Sequence, residues 1–130
     1  MRKKNIMLVD DDKIFNFLSE KTITSLGLAN EIHFALNGKQ ALELLEDYKK
    51  GIVQRPDIIF LDLNMPKLNG KECLAEIKKR NHIKDIPVII YSTSGSRHDK
   101  EETKLLGAAD FLRKPNEFNL LVKELSAILA

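Results

Sequence analysis

The chain has 130 residues, 43% of them apolar and 31% charged, and carries a net charge of +2. Length and composition predict one globular domain over residues 1–130 and exclude a disordered chain. The small net charge is dispersed, which gives no basis for nucleic-acid binding, and no apolar stretch is long enough to cross a membrane.

The run Ile6-Met7-Leu8-Val9 predicts a buried strand over Asn5–Val9, preceded by a short solvated basic tail, Arg2-Lys3-Lys4. Asp10, Asp11 and Asp12 end that strand and rule out a signal peptide. Asp12 is expected to cap a helix from Ile14 to about Leu26, with Ile14, Phe15, Phe17, Leu18, Ile23 and Leu26 on one face and Gly27 as its stop. Glu31–Ala35 reads as a short second strand. Asn37-Gly38 is a turn, and Asn37 caps a helix carrying Ala41, Leu42, Leu44 and Leu45. After a loop over Gly51–Arg55, Pro56 leads into the strand Ile58–Leu61, which ends in Asp62.

Asn64-Met65-Pro66 breaks the chain, and Asn69-Gly70 marks a turn before the helix Lys71–Arg80, with Leu74, Ala75 and Ile77. Cys73 in that helix is the single cysteine. It is read as a packing residue, excludes an internal disulfide and fits a reducing compartment, so a cytoplasmic location is expected. Pro87 opens the strand Val88–Tyr91, followed by Ser92-Thr93-Ser94. Ser94-Gly95-Ser96 is a loop, Asp99 caps a helix to Leu106, and Gly107 ends it. Ala109–Leu112 is the fifth strand, before Lys114-Pro115. Asn116 caps the last helix, with Leu120, Leu121, Leu125, Ile128 and Leu129 on its apolar side. Five strand–helix units in series predict a parallel sheet with helices on both faces.

In such sheets ligands bind at the carboxyl ends of the strands. Asp10 and Asp11, Asp62, Ser92 and Lys114 all fall at that edge. Converging carboxylates repel one another, so the site calls for a cation; carboxylate oxygens plus waters suit Mg²⁺. A carboxylate can attack phosphorus and form an acyl phosphate, while a lysine and a hydroxyl gather the phosphoryl oxygens. His33, His82 and His98 show no metal-ligand spacing.

These pieces, in order, resemble the receiver domain of two-component response regulators: Ile6–Asp11, Ala35-Leu36-Asn37-Gly38, Asp62-Leu63-Asn64-Met65-Pro66, Asn69-Gly70, Pro87–Ser92 and Lys114-Pro115. The resemblance covers the whole chain. It implies an α/β flavodoxin-like (βα)5 fold with strand order 2-1-3-4-5. It implies Asp62 as phosphoacceptor. Mg²⁺ would be held by Asp11 and Asp62 directly, Asp10 through water and Asn64 through its backbone carbonyl. Ser92 and Lys114 would bind the phosphoryl group, Phe111 would be a switch aromatic, and the Lys114–Pro115 bond would be cis. Thr93 and Ser94 depart from the alanine that many receivers carry after the switch hydroxyl.

The expected partners are a sensor histidine kinase or phosphotransfer protein and an unknown downstream protein, with homodimerisation possible on phosphorylation. With no effector domain after the last helix, a stand-alone regulator is expected, of the chemotaxis or phytochrome-associated small type. It has no separate substrate to turn over, and so is not an enzyme in the ordinary sense. Its signal would leave through the fourth helix, fifth strand and fifth helix, where Lys100, Glu101, Glu102, Lys104 and Arg113 lie. The alternative is a Mg²⁺-dependent aspartyl phosphatase of haloacid-dehalogenase type, which shares the strand-then-Asp-x-Asp opening. Nothing acidic follows Lys114 before Glu117, however, and the chain has no room for a cap domain. A flavodoxin-like electron carrier is disfavoured because three aspartates would repel a flavin phosphate.

Overall fold

The structure is a computed structural model that describes residues 3–93 and 95–130. Arg2 of the basic tail and Ser94 of the departure noted above lie outside the described residues. The elements run β1 (Lys4–Val9), α1 (Lys13–Ser25), β2 (Ala29–Ala35), α2 (Gly38–Lys49), β3 (Ile58–Leu61), α3 (Gly70–Lys79), β4 (Val88–Ser92), α4 (Arg97–Leu105), β5 (Asp110–Arg113) and α5 (Phe118–Leu129). All strand pairs are parallel and the sheet order is β2-β1-β3-β4-β5, as expected. Among the described residues no helix is long and apolar enough to cross a membrane.

The period-2 alternation of the strands sorts the core into two layers. Met7, Val9, Ile59, Leu61, Val88 and Ile90 face one side and pack against α2 and α3. Ile6, Leu8, Ile58, Phe60, Ile89 and Tyr91 face the other side and pack against α1 and α5. Because both faces are covered, β3 and β4 are buried along their whole length and β1 from Ile6 to Val9. The parity carries to the strand ends, so Asp10 and Asp62, one residue past β1 and β3, continue the α1/α5 side while Ser92, the last residue of β4, continues the α2/α3 side.

Helix α1 keeps only part of the expected face: Phe15, Leu18 and Ile23 pack in the α1/α5 layer, and the other three do not. Ile14 is 74% and Phe17 55% exposed, Leu26 is exposed too, and the buried residues are Asn16, Ser19, Thr22 and Ile23. Tethering decides the roll of this helix. Asp12 accepts from Ile14 N and Phe15 N, and Asn16 Nδ2 donates to Asp10 O at 2.9 Å, which turns the polar stripe toward the sheet. Two other caps are not where the sequence put them. Ser96 caps α4 by accepting from Asp99 N, so Asp99 sits in the first turn, where a carboxylate suits the helix dipole. Helix α5 has Glu117, not Asn116, at its N-cap and no side-chain cap bond, and Leu120 is exposed. Cys73 is buried, and burial pushes its thiol up to about 12, consistent with a packing role.

The start of α3 is a rigid support under Asp62. Asn69 Oδ1 accepts from Glu72 N at 2.9 Å, and Glu72 Oε1 accepts from Asn69 N at 3.2 Å, a reciprocal capping pair. Gly70 then donates to Leu63 O at 3.0 Å. A Cβ on Gly70 would collide with the Asp62 carbonyl and Leu63 Cα, which are backbone and cannot step aside. Gly70→Ala should therefore cost about 1–3 kcal/mol of stability. Urea unfolding measures this, and an unchanged midpoint would show that the helix is free to retreat.

Candidate functional site

The backbone ladder continues one residue past each of two central strands. Asp10 N donates to Ala35 O at 3.0 Å and Asp62 N to Val9 O at 2.9 Å. This fixes the two carboxylates side by side at the sheet's carboxyl edge. Asp10 and Asp62 are 4% and 6% exposed, whereas Asp11 is exposed. Carboxylate oxygens of all three lie within 4.8 Å of one another. A cleft of about 480 Å³ opens beside them, lined by Asp11, Asn64, Met65, Lys71 and Asp99 among others.

The fifth strand delivers the cation. Lys114 N donates to Ser92 O at 2.7 Å, and Lys114 Nζ sits 2.5 Å from Asp10 Oδ2, both side chains nearly buried. Asp10 Oδ1 accepts from Asp12 N, and Asp62 Oδ1 accepts from Leu63 N, each at 2.9 Å. Burial pushes the Asp10 carboxyl up to about 6, against the opposing hydrogen bonds from Lys114 and Asp12 N. Burial also raises Asp62, opposed chiefly by the positive charge of Lys114. Ser92 is fully buried and its Oγ has no hydrogen-bond partner within bonding geometry, yet it lies close enough to Asp62 to favour the ionised carboxylate. A buried orphan hydroxyl is costly unless a ligand uses it.

Asp10, Asp11, Asp62, Ser92 and Lys114 are thus brought together. Asn64 is at the rim, two residues past Asp62. Phe111 is half-buried, packs on the α2/α3 side and pairs in register with Ile90, so it shares a sheet face with Ser92. No described peptide bond is cis, which corrects the expectation for Lys114–Pro115: trans is the lower-energy default of an X–Pro bond by about 0.5–1 kcal/mol. Two contacts escaped the sequence. The Phe15 ring lies 4.4 Å from Lys114 Nζ, and Lys71 Nζ bridges α3 to α4 through Asp99 at 2.6 Å and Glu102 at 2.8 Å. The latter also takes Glu102 out of the set of free charges expected on the α4 surface.

The arrangement suits a divalent cation, because two buried carboxylates with raised pKa values gain most from a positive charge. Asp10 has a folded-state pKa above its ordinary 3.8, so its ionisation opposes folding above about 6, and that cost fades as pH falls from about 6 toward 3.8. Metal needs the ionised form, so divalent-cation affinity should fall about tenfold per pH unit below about 6. Titration calorimetry at several pH values measures this; a flat affinity down to pH 4.5 would contradict it.

The family model described as Response regulator receiver domain matches residues 6–126. The chain belongs to this family. It is 32% identical over 128 residues to Response regulator Rcp1 of Synechocystis sp., which covers 96% of this chain and 86% of that protein. Its fold is similar to the phosphorylated cyanobacterial phytochrome response regulator RcpA, with a TM-score of 0.88, 31% identity, and coverage of 98% of this chain and 91% of that one. It is also similar to the Mn²⁺-bound form of Rcp1, with a TM-score of 0.86, 32% identity, and coverage of 96% and 91%. A receiver domain is a two-component signalling module in which phosphorylation on an aspartate with Mg²⁺ is typical. Receiver domains interact with histidine kinases or phosphotransfer proteins and with downstream effectors, and are not classical enzymes. The haloacid-dehalogenase alternative finds no support.

Proposed function

We propose that this receiver, acting as one domain over residues 1–130, accepts a phosphoryl group on Asp62 from a sensor histidine kinase or phosphotransfer protein in the cytoplasm. The observation that carries this reading is the meeting of a buried carboxylate, a buried unpartnered hydroxyl and a buried lysine at one sheet edge. A carboxylate oxygen of Asp62 forms a bond to phosphorus as the phosphorus–nitrogen bond to the donor's imidazole breaks and the imidazole leaves with the electron pair. Asp10, Asp11, Asp62 and the backbone carbonyl of Asn64 would hold Mg²⁺. When bound, that ion supplies positive charge against the phosphoryl oxygens. Ser92 Oγ then donates to one phosphoryl oxygen and Lys114 Nζ to another.

Movement of Ser92 toward the phosphoryl group vacates space beside Phe111, which would turn inward and remodel the surface of α4, β5 and α5. That surface presents Lys100, Glu101, Lys104 and Arg113 with mixed signs, suited to a downstream protein or to a second copy on phosphorylation. The donor would approach over the start of α1, where Ile14 and Phe17 expose apolar area beside Asp11. The chain would assist its own phosphorylation and dephosphorylation. Incubation with acetyl phosphate and Mg²⁺, followed by intact-mass spectrometry, tests the reading. One phosphoryl group per chain, lost on chelation of the metal before labelling, is expected. No mass gain under any donor would overturn it.

A further inference from the structure

Lys114 is held from two sides, and only one side is a carboxylate. Its Nζ pairs with Asp10, and the same nitrogen lies 4.4 Å from the centre of the Phe15 ring. Phe15 does not stand alone. Tyr91 meets it nearly perpendicular, at 85° and 5.3 Å between centroids, and Tyr91 also tilts against Phe60 at 6.0 Å. The Tyr91 hydroxyl donates to Glu124 Oε2 at 2.6 Å. Tyr91 is buried and fixed by β4, and Glu124 fixes its far end to α5. The ring beneath Lys114 is therefore braced by the sheet and by two helices.

Asp10 faces two claims. In the structure it neutralises Lys114; under the reading above it also serves the metal. When the metal draws on Asp10, the ammonium loses part of its partner, and a lysine has many rotamers into which it can swing. The face of an aromatic ring attracts a cation without bearing a charge of its own, so that contact survives metal binding. We infer that Phe15 is a positioning residue: its ring, braced by Tyr91 and Glu124, holds the Lys114 ammonium over the phosphoryl site while Asp10 serves the metal. This rests on the proposed phosphoryl site at Asp62. The aliphatic neighbours of α1 could not substitute, since they have no negative face to present.

The test uses the full chain with Mg²⁺ and beryllofluoride, an acyl-phosphate mimic. In the wild type the Lys114 ε-methylene protons should be shifted upfield by the Phe15 ring current. Phe15→Leu should abolish that shift and weaken beryllofluoride binding about three- to thirtyfold, the range expected for a cation–π contact between exposed and desolvated limits. Phe15→Tyr keeps the ring and should restore both. In a Lys114→Ala background, Phe15→Leu should cost nothing further. Three results would each overturn the inference: unshifted ε-methylene protons in the wild type, equal losses for Phe15→Leu and Phe15→Tyr, or an undiminished Phe15→Leu effect without Lys114. If Phe15→Leu loses its folded amide spectrum, Phe15→Met takes its place, and the wild-type shift decides independently. Asp62→Asn separates the levels. Beryllofluoride binding that survives it would bring down the phosphoryl site and the brace together. Binding abolished by Asp62→Asn but unchanged by Phe15→Leu would bring down the brace alone.

Discussion

Asp62→Asn will take up no acid-labile phosphoryl group from acetyl phosphate or from a cognate kinase. The amide is a poor nucleophile, and no neighbour replaces it. Asp10 is engaged by Lys114 and by the Asp12 amide, and Asp11 is exposed to solvent. We expect a loss of at least about a thousandfold in labelling rate, equivalent to about 4 kcal/mol in the barrier. Misfolding will not explain it. The substitution is isosteric, and it removes a buried charge whose pKa is already raised by burial, so the metal-free variant should be at least as stable as the wild type. Labelling rate and urea midpoint, measured on the same preparation, check both halves. Undiminished labelling of Asp62→Asn at an acid-stable site would show that the acceptor lies elsewhere.

The second large effect concerns the metal. Two buried carboxylates and one exposed one converge within 4.8 Å, so Mg²⁺ binding there should stabilise the folded state by mass action. At a hundred times the dissociation constant the gain is about 2.7 kcal/mol. For a chain of this size that corresponds to roughly 10 °C in Tm. Asp11 is the informative position for removing a ligand. It is exposed, so Asp11→Asn leaves the core intact, whereas an Asp10 substitution would also strip Lys114 of its partner. Asp11→Asn should lower Mg²⁺ affinity by about tenfold or more and shrink the Tm gain at fixed Mg²⁺, while labelling at Asp62 becomes slow and not absent. Scanning calorimetry with and without Mg²⁺ reads this directly. Equal gains in the two proteins would mean that Asp11 is not a ligand.

The strands and the edge residues were legible because their signals are local. A four-residue apolar run followed by a carboxylate states both the burial of the strand and the direction of the next side chain. Ile58–Leu61 appears in the structure with the bounds the sequence suggests. The parallel order followed from alternation of elements together with the resemblance. The roll of α1 was not legible. Ile14 and Phe17 match the helical period of a core face, but the hydrogen bonds of Asp12 and Asn16 turn them outward. Capping misled for a related reason. Ser96, Asp99, Asn116 and Glu117 are all admissible at a helix start, and only the loop path selects among them. Phe15 read as ordinary core because its partner, Lys114, is 99 positions away in the sequence and on another element. The Lys71 bridge to Asp99 and Glu102 was hidden in the same way.

The identity of the phosphorylated residue can be read chemically. After labelling with acetyl phosphate and Mg²⁺, borohydride reduces an aspartyl phosphate to homoserine, and peptide mass spectrometry then locates it. Homoserine is expected at position 62 and at no other position, with the yield falling when the metal is chelated before labelling. Homoserine at position 10 or 11, or phosphate that resists borohydride and remains on a serine or histidine, would contradict it.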